Sequence, residues 1–478
     1  MNKPQLVRGL NLGDTTALVV GTIIGTGVFL KTAKMAQAVG TPELVLLAWV
    51  AAGVLSLAGA LSYAELGAML PHAGGEYVYL RAAYGDLPAF LFGWMRIVIG
   101  STGSIAIFGV AFAKFLSALV PMNTVWAETH FKFLGSDIDW QFGVKQLVAV
   151  GVILLFSAVN CLRVSFSGRV QTVLTLGKVF GIVAIVVGVF FFAPGVSLQN
   201  FRAPADAKHF GGMMEFFSAF GAAMLGALWA FDGWNNMPMA AGEVKNPERN
   251  IPRSLFIGMG VVLAVYGLVN LAYCYALPIQ EIASSGSSLS SSTLTVAGKA
   301  AKSFLPQFGA QLVSIAAILS TIGVLNGSIL TGARIPYAMA RDGLFFTSFG
   351  NLSENSAVPV RSIMFQAVWA CVLALSATFD QLTDGVVFAG MIFYASCCLA
   401  VIVLRKKMPE APRPYKTLGY PVVPLLFVFT ASWLLWNTLA DKDSRMQSLV
   451  GLGLILIGLP VYFYLRRKQQ AAPASVVT

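Results

Sequence analysis

The stretch Val19–Leu30, VVGTIIGTGVFL, is apolar enough to sit in a lipid bilayer, yet it carries Gly21, Gly25, Gly27 and two threonines in its middle. Glycine costs a helix interior roughly 1 kcal/mol relative to alanine, and in lipid an interrupted backbone must find other partners for its N–H and C=O groups. A second apolar stretch is broken in the same manner. ALWAFDGWNNMP, Ala227–Pro238, sets Asp232, Gly233, two asparagines and a proline inside another hydrophobic segment. Two such interruptions ask for a common reason.

Outward from these stretches, the chain is hydrophobic throughout. Its 478 residues are 57% hydrophobic and only 11% charged, with a mean hydropathy of +0.74. That composition lies far outside the soluble globular range. Apolar runs of about 18 residues or more recur along its length, with gaps too short for a soluble domain. The expected fold is therefore an all-α polytopic membrane protein of about twelve helices. Helices 1 to 5 are expected near 15–38, 44–70, 88–120, 142–160 and 168–192. Helices 6 to 10 follow near 213–243, 254–278, 309–341, 360–379 and 383–405, with the last two near 420–440 and 446–465.

The formal charge of +11 could suggest nucleic acid, but no basic stripe with interleaved aromatics is present. The basic residues fall mostly between apolar runs and report topology, with both termini on the cytoplasmic side. The densest patch is LRKKMPEAPRPYK, Leu404–Lys416, joined on that face by RRK at Arg466–Lys468 and by Arg249–Arg253. The start of the chain and the AQA at Ala36–Ala38 mimic a secretory signal, but Lys31 and Lys34 precede that site. The five cysteines all lie within or at the ends of apolar runs, so a disulfide framework is not expected. His72, His130 and His209 fall far apart in expected loops and suggest neither a metal site nor a cofactor. The polar segment Pro121–Trp140, the serine run Ser284–Ser292 and the tail from Gln469 are read as loops or disorder.

Five spans are an odd number, so a second set of five enters the membrane in the opposite orientation. The arrangement permits an inverted repeat, about 15–192 against about 213–405, with helices 11 and 12 appended and all of 1–478 forming one transporter domain. Helix 6 is interrupted where helix 1 is, and paired interruptions in two halves point to a transporter's midplane binding site.

GTIIGTGVF, SYAELGAMLPHAGGEYVYL, FDGWNN, GEVKNPERNIPRSL and ARIPYAMARDG occur in this order along helices 1 to 8. The set closely resembles the L-type amino acid transporters of the amino acid, polyamine and organocation superfamily, in particular the bacterial alanine, serine and cysteine exchangers and the eukaryotic light chains. The resemblance implies the leucine-transporter-like 5+5 fold with helices 1 and 6 unwound, and a sodium-independent antiporter of small neutral L-amino acids. Light chains that join a glycoprotein subunit carry a cysteine in the loop between helices 3 and 4. Pro121–Trp140 has none, so no disulfide-linked heavy chain is expected, and a stand-alone protein of the bacterial inner membrane is the simpler reading.

An amino acid brings a carboxylate and an ammonium to the midplane. The half-helix that starts near Thr26 offers unpaired N–H groups and a positive dipole end to the carboxylate, and glycines at 25 and 27 allow close approach. By resemblance, Thr26 and Gly27 supply N–H groups, and the carbonyls of Ile23, Trp229 and Asp232 accept from the ammonium. Gly21 and Gly25 also form a small-xxx-small pair, which suits plain helix packing. Resemblance makes Trp229 the proximal gate. Asn235, one turn on, either contacts the substrate side chain or caps the broken helix. Asp232 suits a cationic substrate through its side chain, or any substrate through its carbonyl.

Lys178 lies about ten residues into expected helix 5, near 15 Å deep at about 1.5 Å per residue, where snorkelling is difficult. In the resemblance its ammonium stands where sodium-coupled relatives bind an ion, bridging the carbonyls of Gly21 and Ile24 to Ser320 or Thr321. Arg96 and Arg334 are also inside spans and are given no binding role, and Glu65 is read as structural. Two alternatives remain, a proton-coupled uptake symporter with Lys178 titrating and an exchanger that accepts cationic amino acids. A membrane-embedded enzyme would need a cluster of nucleophilic or metal-binding residues that the sequence lacks.

Overall fold

The computed structural model describes residues 6–133, 136–202, 209–287, 293–376, 379–440 and 442–471. Part of the serine run, 288–292, and most of the tail, 472–478, lie outside them. Among the described residues ten helices are long and apolar enough to cross a membrane, two fewer than the twelve expected. The other two expected spans are Val144–Asn160 and Val360–Leu375, apolar helices of 17 and 16 residues.

Helix 5, Val164–Phe192, illustrates how the sequence sorts its faces. Gln171, Thr175, Lys178, Ile182 and Ile185 recur at steps of four and three and are buried, whereas Val173, Leu176 and Phe180 point outward. This is a lipid-facing surface around a more polar interior, the arrangement a bilayer requires. The same spacing gives Lys178 its depth, since it lies midway along the helix.

Helix 1 is two pieces, Leu12–Ile23 and Gly27–Val39. Asn11 caps the first piece with a reciprocal Asp14 bond, and Ile24 leaves helical geometry at ψ 91. Helix 6 runs Met213–Phe231, breaks at Asp232–Asn235 and resumes as the single turn Asn236–Met239. Pro238 is tolerated there because the first turn of a helix has no use for its missing N–H. The second piece of helix 1 packs against the first piece of helix 6, and the chain before helix 1 pairs with the chain after helix 6 through a Leu10–Val244 bridge. The two broken helices therefore cross antiparallel, as an inverted repeat demands.

Helix 2 (Pro42–Met69) and helix 7 (Pro247–Ala276) pack together, as do helix 3 (Asp86–Ser117) and helix 8 (Gly309–Arg341). A π turn, Arg96–Gly100, interrupts helix 3. Helix 10 (Phe379–Lys407) is followed by Val422–Ala440 and Lys442–Ala471. Arg405 at the end of helix 10 grips Glu65 at the end of helix 2 through two bonds of 2.8 and 2.7 Å, and Thr417 N–H also donates to Glu65. Part of the basic patch Leu404–Lys416 is thus turned inward.

Several elements differ from expectation. Much of the polar segment between helices 3 and 4 is an antiparallel hairpin, Val125–Phe133 with Ser136–Gly143. His130 is therefore in a strand and not in a loop. Short helices Glu76–Tyr84, Ile279–Ala283 and Val296–Lys302 lie between the spans. All five cysteines are free, and no group of metal-binding residues occurs among the described residues.

Candidate functional site

The two interruptions meet. Gly233 adopts φ +122, open to glycine and strained for other residues, and a Cβ there would lie 2.5 Å from the Thr22 carbonyl oxygen. Thr22 Oγ1 donates back to the Gly233 carbonyl at 2.9 Å. Beside this contact lies a cavity of about 50 Å³, enough for a few water-sized groups. Its wall comprises Thr22, Ile23, Gly25 and Gly27 of helix 1, Trp229, Ala230, Asp232, Gly233 and Asn236 of helix 6, and residues of helices 3 and 8. Helices 3 and 8 contribute Ser104, Ile107, Phe108, Val324 and Ser328, none of which the sequence singled out.

The glycines have different neighbours. A Cβ on Gly21 would strike Gln171 and Thr175 of helix 5, one on Gly27 would lie 2.6 Å from Ala230 Cβ, and one on Gly25 would touch Phe108 and Val324. Gly21 and Gly27 are close-packing positions against helices 5 and 6. Gly25 opens toward the cavity's apolar end. Thr26 is buried and its hydroxyl lacks a hydrogen-bond partner.

Lys178 is fully buried and directs its three donors at three carbonyls: Gly21 at 2.8 Å, Ile24 at 2.9 Å and Ser320 at 3.1 Å. Ser320 adds its hydroxyl to Ile24 at 2.7 Å and to Gly25 at 3.2 Å. Thr321 instead bonds within its own helix, to Ile318. Gly323 makes the room, for a Cβ there would lie 2.6 Å from Lys178 Nζ. The exposed carbonyls at the end of the first helix 1 piece are thereby satisfied by an ammonium and a hydroxyl.

Trp229 is half-buried at the cavity, and Lys31 from the second piece of helix 1 stands 4.3 Å above its ring. Asp232 lines the cavity and its Oδ1 accepts from Tyr394 at 2.8 Å. Asn235 does not line it; its amide donates to Glu76 at 3.1 Å and to Tyr394 at 3.2 Å. The Ile23 carbonyl already receives a hydrogen bond, from Tyr266 of helix 7 at 3.1 Å, and the same hydroxyl lies 2.9 Å from the Ala230 carbonyl. Tyr266 escaped the sequence reading because it is one of three tyrosines in an apolar helix, with Tyr273 and Tyr275, and nothing local distinguishes it.

Arg334 forms a bidentate pair with Glu243, both bonds 2.8 Å, and both side chains are almost fully buried. It therefore joins the end of helix 8 to the end of helix 6 and does not reach the cavity wall.

The pattern of the amino acid permease family matches residues 10–459. The serine/threonine exchanger SteT of Bacillus subtilis is 31% identical over 97% of this chain and 98% of its own length. The human b(0,+)-type amino acid transporter 1 is 31% identical over 96% of this chain and 88% of its own. The large neutral amino acids transporter small subunit 2 of Mus musculus is 29% identical over 96% and 81%.

Proposed function

The chain belongs to the amino acid permease family, an integral multi-pass membrane transporter and not an enzyme, and from that premise we propose that it exchanges small neutral L-amino acids of the alanine, serine and cysteine kind. The observation that carries this reading is the cavity enclosed by the two broken helices. Its lining takes in the helix 1 break, where the start of the second piece is suited to a carboxylate, together with the polar residues Thr22, Ser104, Asp232, Asn236 and Ser328. Its apolar end is closed by Ile107, Phe108 and Val324, which leaves room for a small apolar or hydroxylated side chain. The name of SteT, a serine/threonine exchanger, supports exchange of small hydroxylated amino acids, whereas the Mus musculus relative is named for large neutral ones.

In this reading Thr26 and Gly27 receive the carboxylate, and Trp229 covers the substrate. Lys178 fills the space behind the helix 1 break with donors to three carbonyls, and in this reading substrate itself drives the return step. Ile23, Trp229 and Asp232 present carbonyls toward the ammonium, with Ile23 shared with Tyr266. The protein works alone in a bacterial inner membrane with both termini cytoplasmic, and Pro121–Trp140 offers no cysteine to a heavy chain.

Asp232 favours a second reading, an exchanger of cationic amino acids, because this acidic residue lines the cavity. Purified protein in liposomes separates the two. Radiolabelled alanine or serine should enter only when unlabelled amino acid is inside. Uptake into empty liposomes driven by an inward proton gradient would reject exchange, and preferential arginine uptake would select the second reading.

A further inference from the structure

Glu76 begins the short helix between spans 2 and 3, is fully buried, and among the described residues takes part in no ion pair. Its Oε1 accepts from the Tyr63 hydroxyl at 3.0 Å and from the Asn235 amide at 3.1 Å. Its Oε2 has no hydrogen-bond partner. The same Asn235 nitrogen donates to Tyr394, whose hydroxyl donates to Asp232 at the cavity wall. A continuous chain of four side chains thus joins Glu76 to the helix 6 break.

The surroundings leave a charge unbalanced. From helix 3, Arg96 is the nearby cation, and it spends Nη2 on Asn236 Oδ1 at 2.9 Å and not on either carboxyl group, while its Nε has no partner. Tyr63 on helix 2, Tyr79 on the short helix itself, and Tyr394, Cys397 and Cys398 on helix 10 complete the titratable groups around Glu76. Two carboxylates and one guanidinium with no direct pairing amount to one excess negative charge, and Glu76 is the carboxylate wholly shut off from solvent, whereas Asp232 borders the cavity. Such a charge is removed most simply by a proton. Oε2 is the oxygen free to take it.

We propose that Glu76 is a proton-binding site of the transporter, holding its proton on Oε2, and that its state is passed to the substrate cavity through Asn235, Tyr394 and Asp232. An amide does not relay protons, so what travels along the chain is hydrogen-bond strength. Ionised Glu76 turns the Asn235 bond into a charge-assisted one, which pulls the amide away from Tyr394 and loosens the hold of Tyr394 on Asp232. Protonated Glu76 leaves Asp232 firmly held, and this is the transporting form. Burial pushes the Glu76 carboxyl up to about 7, against the opposing pull of Arg96 and of the bonds from Asn235 and Tyr63. The site therefore changes state near neutral pH. It is distinct from Lys178 and independent of which amino acid is carried.

The test compares wild type with Glu76→Gln, whose amide is neutral like the protonated acid. With equal pH on both sides of the liposome, wild-type alanine exchange should fall several-fold as pH rises through about 7, and the glutamine variant should keep its low-pH rate throughout. A second readout needs no transported substrate. The folded state holds the Glu76 proton to higher pH than the unfolded chain does. This contribution to stability is therefore present at low pH and lost as pH rises toward about 7. The melting temperature of the wild type in detergent should drop over that range relative to Glu76→Gln. Matching pH profiles of the two proteins in both measurements would overturn the proposal, as would a wild type indifferent to pH.

Discussion

Gly25 and Gly27 stand two residues apart and are held to glycine by different neighbours, and the difference can be measured. A side chain at Gly27 meets helix 6 at Ala230, so Gly27→Val should separate the two broken helices and cost both binding and monodispersity. Gly25→Ala meets only Phe108 and Val324, so the protein should remain monodisperse while its affinity for serine falls. Equal affinity in Gly25→Ala would show that the substrate sits elsewhere. Lys178→Ala takes a donor from the carbonyls of Gly21, Ile24 and Ser320; Ile24 keeps the Ser320 hydroxyl and Ser320 lies within helix 8, so the loss falls mainly on Gly21, at about 1–3 kcal/mol for a buried group left unpaired. Exchange should collapse by at least about tenfold on that scale, with the apparent KM altered more on one membrane face than on the other. Unchanged kinetics on both faces would leave Lys178 a purely structural charge. The glycines and the lysine were legible because each is an anomaly in an apolar run. Which neighbour restricts each glycine was not, because Ala230 and Phe108 carry no signal of their own.

At the scale of elements, Arg334 and Glu243 fasten the end of helix 8 to the turn after helix 6. Removing one partner strands the other in the interior, and breaking a buried pair costs about 3–5 kcal/mol. Arg334→Met should therefore lower the melting temperature sharply, and adding Glu243→Leu should restore most of the loss. A double variant no more stable than the single one would show that the pair contributes more than mutual neutralisation. The helical breaks could be read from sequence because glycine, aspartate and proline are conspicuous inside hydrophobic runs. The partnership of Arg334 with Glu243 could not, since nothing local links residues 91 positions apart. The hairpin Val125–Gly143 was passed over although Glu128, His130 and Lys132 alternate with apolar or small neighbours, the period expected of a strand. Its flanking proline and polar residues made a loop the simpler reading. Asn235 was expected to face substrate or cap a helix; its partners are Tyr394 and Glu76, the latter in the motif SYAELGAMLPHAGGEYVYL, which carried the resemblance but no site assignment.

At the scale of the whole molecule, the proposed exchange requires the two halves to move in step, and Tyr266 touches the break in each. Its hydroxyl lies against the last carbonyls of the first pieces of helices 1 and 6, while Gly233 rests on Thr22 with no room for a Cβ. Tyr266→Phe keeps the ring, which packs edge-on against Trp49 and Phe231, and deletes only the polar link. Substrate binding should survive in this variant, but amino acid should now enter empty liposomes. Uptake still strictly dependent on internal substrate would show that helix 7 does not couple the breaks. The crossing of Thr22 and Gly233 works like the pivot of a pair of scissors, whose blades cannot be turned separately while the pin is in place. Obligatory one-for-one traffic would then reside in the pivot and not in the substrate pocket, and a transporter with an intact pocket but a loosened pin would be a leak.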